Sequence, residues 1–266
     1  MQSVLTLWLW AAICSMEGAN IQSSTEAGSD YVDDFNFYDE FPDIANAEID
    51  NVNLPTAPLV LPITLYYDLA WWKTHGEEYT EKTARQTIKQ ASLILQHPTL
   101  DIKIKLVIHK VFLRKVFLEA NQKGMDKFET FLEPPFIING SPVTHIMLTA
   151  TPDSLFKGIG RIGSVCSSTE RSLALVRYDS SEARTAVTLA HEIGHILGMR
   201  HDFVTVNGKR GTCGEGDYSG HFIMNYGQPR SVWSECSNKD MKRLYKSVYA
   251  TKGKFCLDET TEKGEY

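Results

Sequence analysis

At 266 residues, 42% hydrophobic and 23% charged, the chain is large enough to bury a real core in one large or two small domains, which excludes a fibrous or low-complexity protein. Its net charge of −6 is uneven: residues 1–61 hold ten acidic residues and no Lys or Arg, whereas the remaining 23 acidic and 27 basic residues leave the rest at +4. A body so weakly basic gives no reason to expect a nucleic-acid partner.

In chain order, the apolar run from Val4 to Ile13 has the length of a signal-peptide core and is too short to span a bilayer. Small residues at Ser15, Gly18 and Ala19 suit cleavage nearby, so residues 1–19 are expected to be a signal peptide. No later stretch has the apolar length of a membrane helix, and the chain is expected to be secreted and extracellular. Residues 20–61 form an acidic leader, or short pro-segment, that lacks basic partners and is expected to be disordered. The folded body is expected over 62–258, followed by a polar tail at 259–266.

Within the body, ITLYYD (63–68) reads as a strand. Residues 77–97 read as a helix with Ala84, Ile88, Ala91 and Leu95 on one face, stopped by Pro98. The alternation in DIKIKLVIHKVFL (101–113) predicts a strand with one face in water. A short helix is expected over 126–132, and strands over 144–150 and 172–179, with a Gly-rich segment at 158–163 between them. A long helix follows over 181–198 and a last one over 238–249. Strands alternating with helices give an α/β (α+β) domain.

Cysteine usage supports an oxidising compartment. Cys14 would leave with the signal, so Cys166, Cys213, Cys236 and Cys256 remain. They allow three pairings, and the absence of a C-x-x-C pair argues against a thiolate zinc site.

The chemistry concentrates in His191-Glu-Ile-Gly-His195-Ile-Leu-Gly-Met-Arg-His201-Asp202. On a helix, positions i and i+4 share a face, so His191 and His195 can aim their imidazoles at one ion. Gly198 tolerates the left-handed backbone that ends a helix, which lets the chain turn and bring His201 back to the same ion. Three neutral imidazoles leave a coordination position open, the arrangement of a catalytic zinc, one per chain. Glu192 sits beside the ligand face, placed to act as general base on a water at the metal. Downstream, Phe222-Ile-Met224-Asn-Tyr-Gly227 resembles the Met-turn of the metzincins, which implies that Met224 forms an apolar floor beneath the imidazoles, although taken alone it reads as a core residue.

The extended histidine pattern, with Gly158-Ile159-Gly160-Arg161-Ile162-Gly163-Ser-Val-Cys166 and LALVRYDSSEARTAVTLAHEIGHILGMRHD, resembles the adamalysin (reprolysin) branch of the metzincins. That family includes snake-venom metalloproteases and the catalytic domains of disintegrin- and thrombospondin-motif relatives. The resemblance covers about 62–258 and is strongest over 158–202. It implies a zincin-like catalytic domain: a mixed twisted sheet with an antiparallel edge strand, a long active-site helix and a Met-turn at Met224. It implies that the segment Gly158 to Ile162 is the edge to which substrate adds as a strand. It further implies Cys166–Cys256 and Cys213–Cys236 disulfides, and that Asp202 buttresses the active-site base. The function implied is that of a monomeric, secreted zinc metalloendopeptidase acting on extracellular protein substrates. The alternative is a toxin-like or receptor-blocking binding protein on the same scaffold.

This chain departs from the family pattern in several places. Thr64 stands where the family's calcium site normally has a Glu, so calcium is not expected. No cysteine precedes Cys166 after a cleaved signal, and no basic pair precedes the body, so neither a cysteine switch nor a furin site is expected. Only ten residues follow Cys256, so no ancillary module is expected. Tyr226 has the spacing of a tyrosine that other metzincins use as an extra zinc ligand, the alternative being a packed aromatic. The leader is open to three readings: a solvated tail, an inhibitory segment with a carboxylate such as Asp43 at the zinc, or an exosite carrying sulfated Tyr31 and Tyr38. Asn139-Gly-Ser is a glycosylation sequon followed by Pro142.

Overall fold

The run LVLPITLYYD is apolar or β-branched almost throughout, which suits a strand covered on both faces. In the computed structural model of the chain it forms β1 (Leu59–Asp68) inside a five-stranded sheet. The structure describes residues 52–152, 156–206, 209–212, 222–225 and 232–258, the segments 203–206 and 209–212 by backbone alone, all within the compact unit 36–266. The signal peptide expected at 1–19, the leader up to residue 51, the tail 259–266, Cys213 and Tyr226 lie outside the described residues.

The strand begins at Leu59 rather than at Ile63, and Pro62 does not interrupt it. The Leu59 N–H donates to Lys103 O at 2.9 Å, towards β2 (Ile104–Arg114), so the N–H groups of residues 61 and 63 point the same way. Position 62 faces the opposite side, where pairing with β5 (Thr144–Thr149) starts only at Ile63, so no ladder bond is lost to the proline. The sheet order is β2-β1-β5-β7-β6, with β7 at Leu173–Arg177 and β6 at Gly158–Gly160. The first four strands run parallel and β6 is antiparallel to β7, a mixed sheet with an antiparallel edge.

The crossover after β1 begins with a helix that the periodicity did not predict, α1 (Leu69–His75). Asp68 caps it, accepting from the Trp71 N–H at 2.9 Å, and Gly76, at φ +76°, ends it. The next helix, α2 (Thr80–Ile94), is shorter than the expected 77–97 because residues 76–79 close the preceding turn. Leu61, Ile63 and Leu65 on one sheet face pack with Ile88, Ala91, Leu189 and Ile193 in the main core. On the opposite face Tyr66, Met147 and Leu175 pack against Met125 and Phe128 of α3 (Gln122–Glu129). Helix α3 starts before the expected residue 126 because the Asn121 side chain accepts from the Gly124 N–H at 2.8 Å.

Two short hairpins add β3 (Ile137–Ile138) with β4 (Ser141–Pro142), and β8 (Phe203–Val206) with β9 (Lys209–Thr212). The helix α4 (Glu182–Ile196) carries the first two histidines, and α5 (Glu235–Lys252) closes the domain. A Cys166–Cys256 disulfide ties the turn after β6 to the segment after α5. Among the described residues, no helix is long and apolar enough to cross a membrane.

Candidate metal centre

Helix α4 is buried over most of its length because it shares the main core with the sheet and α2, and Met224 and Trp233 lie against it at Gly194. Ser181 starts it, its side chain accepting from the Arg184 N–H at 3.3 Å. Gly198, at φ +86°, ends it. The Gly198 N–H donates to His195 O and the Met199 N–H to Gly194 O, a closing turn that sends the chain back towards the helix and delivers His201.

His191, His195 and His201 each offer a ligand nitrogen, and the three atoms lie within 4.8 Å of one another. His191 Nδ1 donates to Ile223 O and His195 Nδ1 donates to Met199 O, each at 2.8 Å. A carbonyl oxygen can only accept, so each Nδ1 bears the proton and each Nε2 keeps its lone pair. Both of those Nε2 atoms lie 3.1 Å from His201 Nε2. One proton could satisfy at most one of these approaches, whereas a cation among the three nitrogens accounts for all of them. Burial also pushes the His195 imidazole down to about 4, so it is neutral at pH 7 and available as a ligand. The donor set fits zinc.

The floor is built around Gly194. A Cβ there would stand 2.6 Å from Met224 Sδ and 3.2 Å from Trp233 Cζ3, so the absence of a side chain lets Met224 lie directly beneath the helix. Ile223 O receives His191, Ile223 N–H donates to Val232 O, and Met224 O accepts from the Asp202 N–H. The Asp202 carboxylate in turn accepts from Ser234 Oγ, the N-cap of α5. Asp202 therefore joins the third-histidine segment to the floor and to α5. Burial raises its carboxyl to about 6.

Glu192 is buried and lies against the edge strand. A Cβ on Gly158 would meet Glu192 Oε1 at 2.5 Å, and one on Gly160 would meet the Glu192 carbonyl oxygen at 2.5 Å. Only glycine at both positions allows β6 to rest on this residue. The Arg161 N–H donates to Leu173 O and Lys157 O accepts from the Arg177 N–H. Odd-numbered residues of β6 thus face β7, and Gly158 and Gly160 direct their main-chain groups away from the sheet. The strand's exit is tied to the metal helix, since the Gly163 N–H donates to His195 O at 2.8 Å.

The fold therefore brings His191, Glu192, His195, His201, Met224 and the segment Gly158 to Ile162 to one place, while Cys166 and Cys256 bridge at its side. Cys236 is disulfide-bonded. Sequence reasoning passed over Gly194, although a glycine inside a helix costs about 1 kcal/mol relative to Ala and so signals close packing. It also passed over Glu129, whose partner Arg161 is far away in sequence and which no local pattern could reveal.

Residues 138–247 match the family model described as Metallo-peptidase family M12B Reprolysin-like. The chain is 28% identical over 222 residues to "A disintegrin and metalloproteinase with thrombospondin motifs 1" of Bombyx mori, covering 77% of this chain and 20% of that protein. It is 30% identical over 172 residues to "A disintegrin and metalloproteinase with thrombospondin motifs 4" of Rattus norvegicus, covering 55% of this chain and 25% of that one. It is also 31% identical over 105 residues to "Zinc metalloproteinase-disintegrin-like atragin" of Naja atra, covering 40% and 15%. The chain spans a quarter or less of the length of these three relatives.

Proposed function

Because residues 138–247 carry a reprolysin-type metalloprotease domain, we propose that the chain is a secreted, monomeric zinc metalloendopeptidase acting on extracellular proteins. The observation that carries this reading is the convergence of three imidazole nitrogens beside a buried Glu192.

His191, His195 and His201 would hold the zinc, which when bound supplies the Lewis acidity that makes a water acidic near neutral pH and polarises a scissile carbonyl. Glu192 takes the proton of the attacking water and later delivers it to the leaving nitrogen. Its position under Gly158 fixes the carboxylate relative to β6. The outward main-chain groups of Gly158 and Gly160 support a reading in which an extended peptide pairs with this edge, its scissile bond held at a constant distance from Glu192. The carbonyls of Ile223 and Met199 fix the tautomers of His191 and His195, so neither ring needs to reorganise to bind metal.

The test is cleavage of an unfolded protein such as casein by the purified chain, with fragments mapped by mass spectrometry, before and after chelation and after zinc is restored. Cleavage that stops on chelation and returns with zinc is expected. Cleavage indifferent to chelation, or none from a zinc-loaded chain, overturns the reading.

A further inference from the structure

A three-residue strand with glycine at both ends is soft, since glycine offers no side chain to pack and leaves the backbone conformationally free. Yet β6 must hold a fixed height above Glu192 if a peptide is to pair with it productively. Its glycine face has no side chain to anchor it. The opposite face does: one of its side chains enters the core that α3 shares with the sheet, and the other reaches α3 itself. Ile159 packs on the cluster containing Met125 and Phe128. Arg161 lies on the same face two residues later, where its Nη1 donates to Glu129 Oε1 at 3.0 Å and its Nη2 donates to Glu129 Oε2.

We infer that Glu129 and Arg161 form a positioning pair, a clamp that sets β6 over Glu192 and makes the edge competent to receive an extended peptide. The inference rests on the peptidase reading above. A two-pronged guanidinium–carboxylate contact fixes orientation as well as distance, which a single contact or a lysine could not do. The anchor is itself rigid: Met125 and Phe128 are buried, Asn121 caps the helix, and Gly124 lies so close that a Cβ there would stand 3.2 Å from Leu175 Cδ2 of β7. Helix α3 therefore shares a core with the strand next to β6. Glu129 and Arg161 keep 38% and 22% of their side-chain exposure, so the contact is only partly desolvated and acts on geometry more than on global stability. The surrounding charges are Asp126 and Glu170 near Arg161, and Arg171 near Glu129. Arg161 holds the Glu129 carboxyl below the usual carboxylate range, so the clamp stays charged across the neutral range. With the Gly163 N–H on His195 O, the C-terminal end of β6 is held both to α3 and to the metal helix.

The experiment uses the full chain loaded with zinc, in wild-type form and as Glu129→Gln and Arg161→Lys. Two readouts are taken: hydrogen exchange of the segment 157–163, and KM against kcat on an octapeptide the wild type cleaves. The clamp predicts exchange at 157–163 faster by about tenfold in both variants, with α4 unchanged, and KM raised about fivefold while kcat moves less than twofold. Arg161→Lys keeps the charge, so a purely electrostatic role would leave it like wild type and overturn the inference. Unchanged exchange at 157–163 in Glu129→Gln overturns it too, as does a fall in kcat with KM fixed. A wild-type chain that cleaves no peptide would sink the peptidase reading instead, while the exchange data would still decide whether the clamp holds the strand.

Discussion

Gly158 lies against Glu192 so closely that a Cβ on it would stand 2.5 Å from the carboxylate oxygen Oε1 and 2.8 Å from Cγ. The glycine is there for space and not for an unusual backbone angle. Gly158→Ala must push either the strand or the carboxylate, and a displacement of that size at a reacting group is expected to lower kcat/KM by about 10- to 100-fold. Zinc content should not change, because no ligand is touched. Steady-state kinetics beside metal analysis check this, and wild-type kinetics in Gly158→Ala would contradict the contact.

Gly194→Ala places a methyl 2.6 Å from Met224 Sδ and 3.2 Å from Trp233 Cζ3. The substitution gains about 1 kcal/mol of helix propensity but overpacks a filled floor, at a typical cost of about 1–3 kcal/mol. The expected sum is a net loss of stability, read from the denaturant midpoint. A midpoint above wild type would mean that the floor yields freely.

These contacts mark the limit of what the sequence discloses. The histidine spacing with Gly198 made the metal helix readable, since each residue type answers a local geometric need. The parallel core strands were readable from apolar runs bounded by turns. Helix α1 was not, because LAWWKTH has no amphipathic period and forms through the Asp68 cap and the burial of Trp71. The extension of β1 through Pro62 was hidden because it depends on when β5 joins the sheet. The resemblance implies that Asp202 buttresses the active-site base, and the partners through which it would do so, Met224 and Ser234, are tertiary contacts that the local pattern does not name. The Glu129–Arg161 clamp joins α3 to β6 through a tertiary contact, which leaves no trace in the local pattern.

His145 is buried, accepts or donates at Nδ1 opposite Tyr66 Oη at 3.1 Å, and is pushed down to about 4 by burial. Between its unfolded value near 6.5 and about 4, the unfolded chain binds a proton that the folded chain does not. Its contribution to stability is therefore complete above about pH 6.5 and is lost as the pH falls towards 4, by at most about 3 kcal/mol. Asp202, raised to about 6, acts in the opposite sense, but it is present in both wild type and His145→Gln. The difference in unfolding free energy between the two proteins should shift in favour of His145→Gln as the pH is lowered through this window. Parallel pH profiles would refute the buried neutral histidine.

The Cys166–Cys256 bridge closes a loop of 90 residues in sequence separation. In the chain-entropy account, removing it with Cys166→Ala and Cys256→Ala together lowers stability by about 4–5 kcal/mol. Non-reducing peptide mapping should yield the 166–256 linked peptide, and chemical unfolding of the double variant should show the loss. A 166–213 peptide would contradict the pairing.

The proposed function rests on a division of labour in which the three histidines would hold the metal and Glu192 would move the proton. The decisive measurement is zinc content together with casein cleavage for Glu192→Ala beside wild type. One zinc per chain in both, with cleavage lowered by at least about a thousandfold in the variant, is the predicted result. A variant that keeps its zinc and cleaves at the wild-type rate would contradict the account.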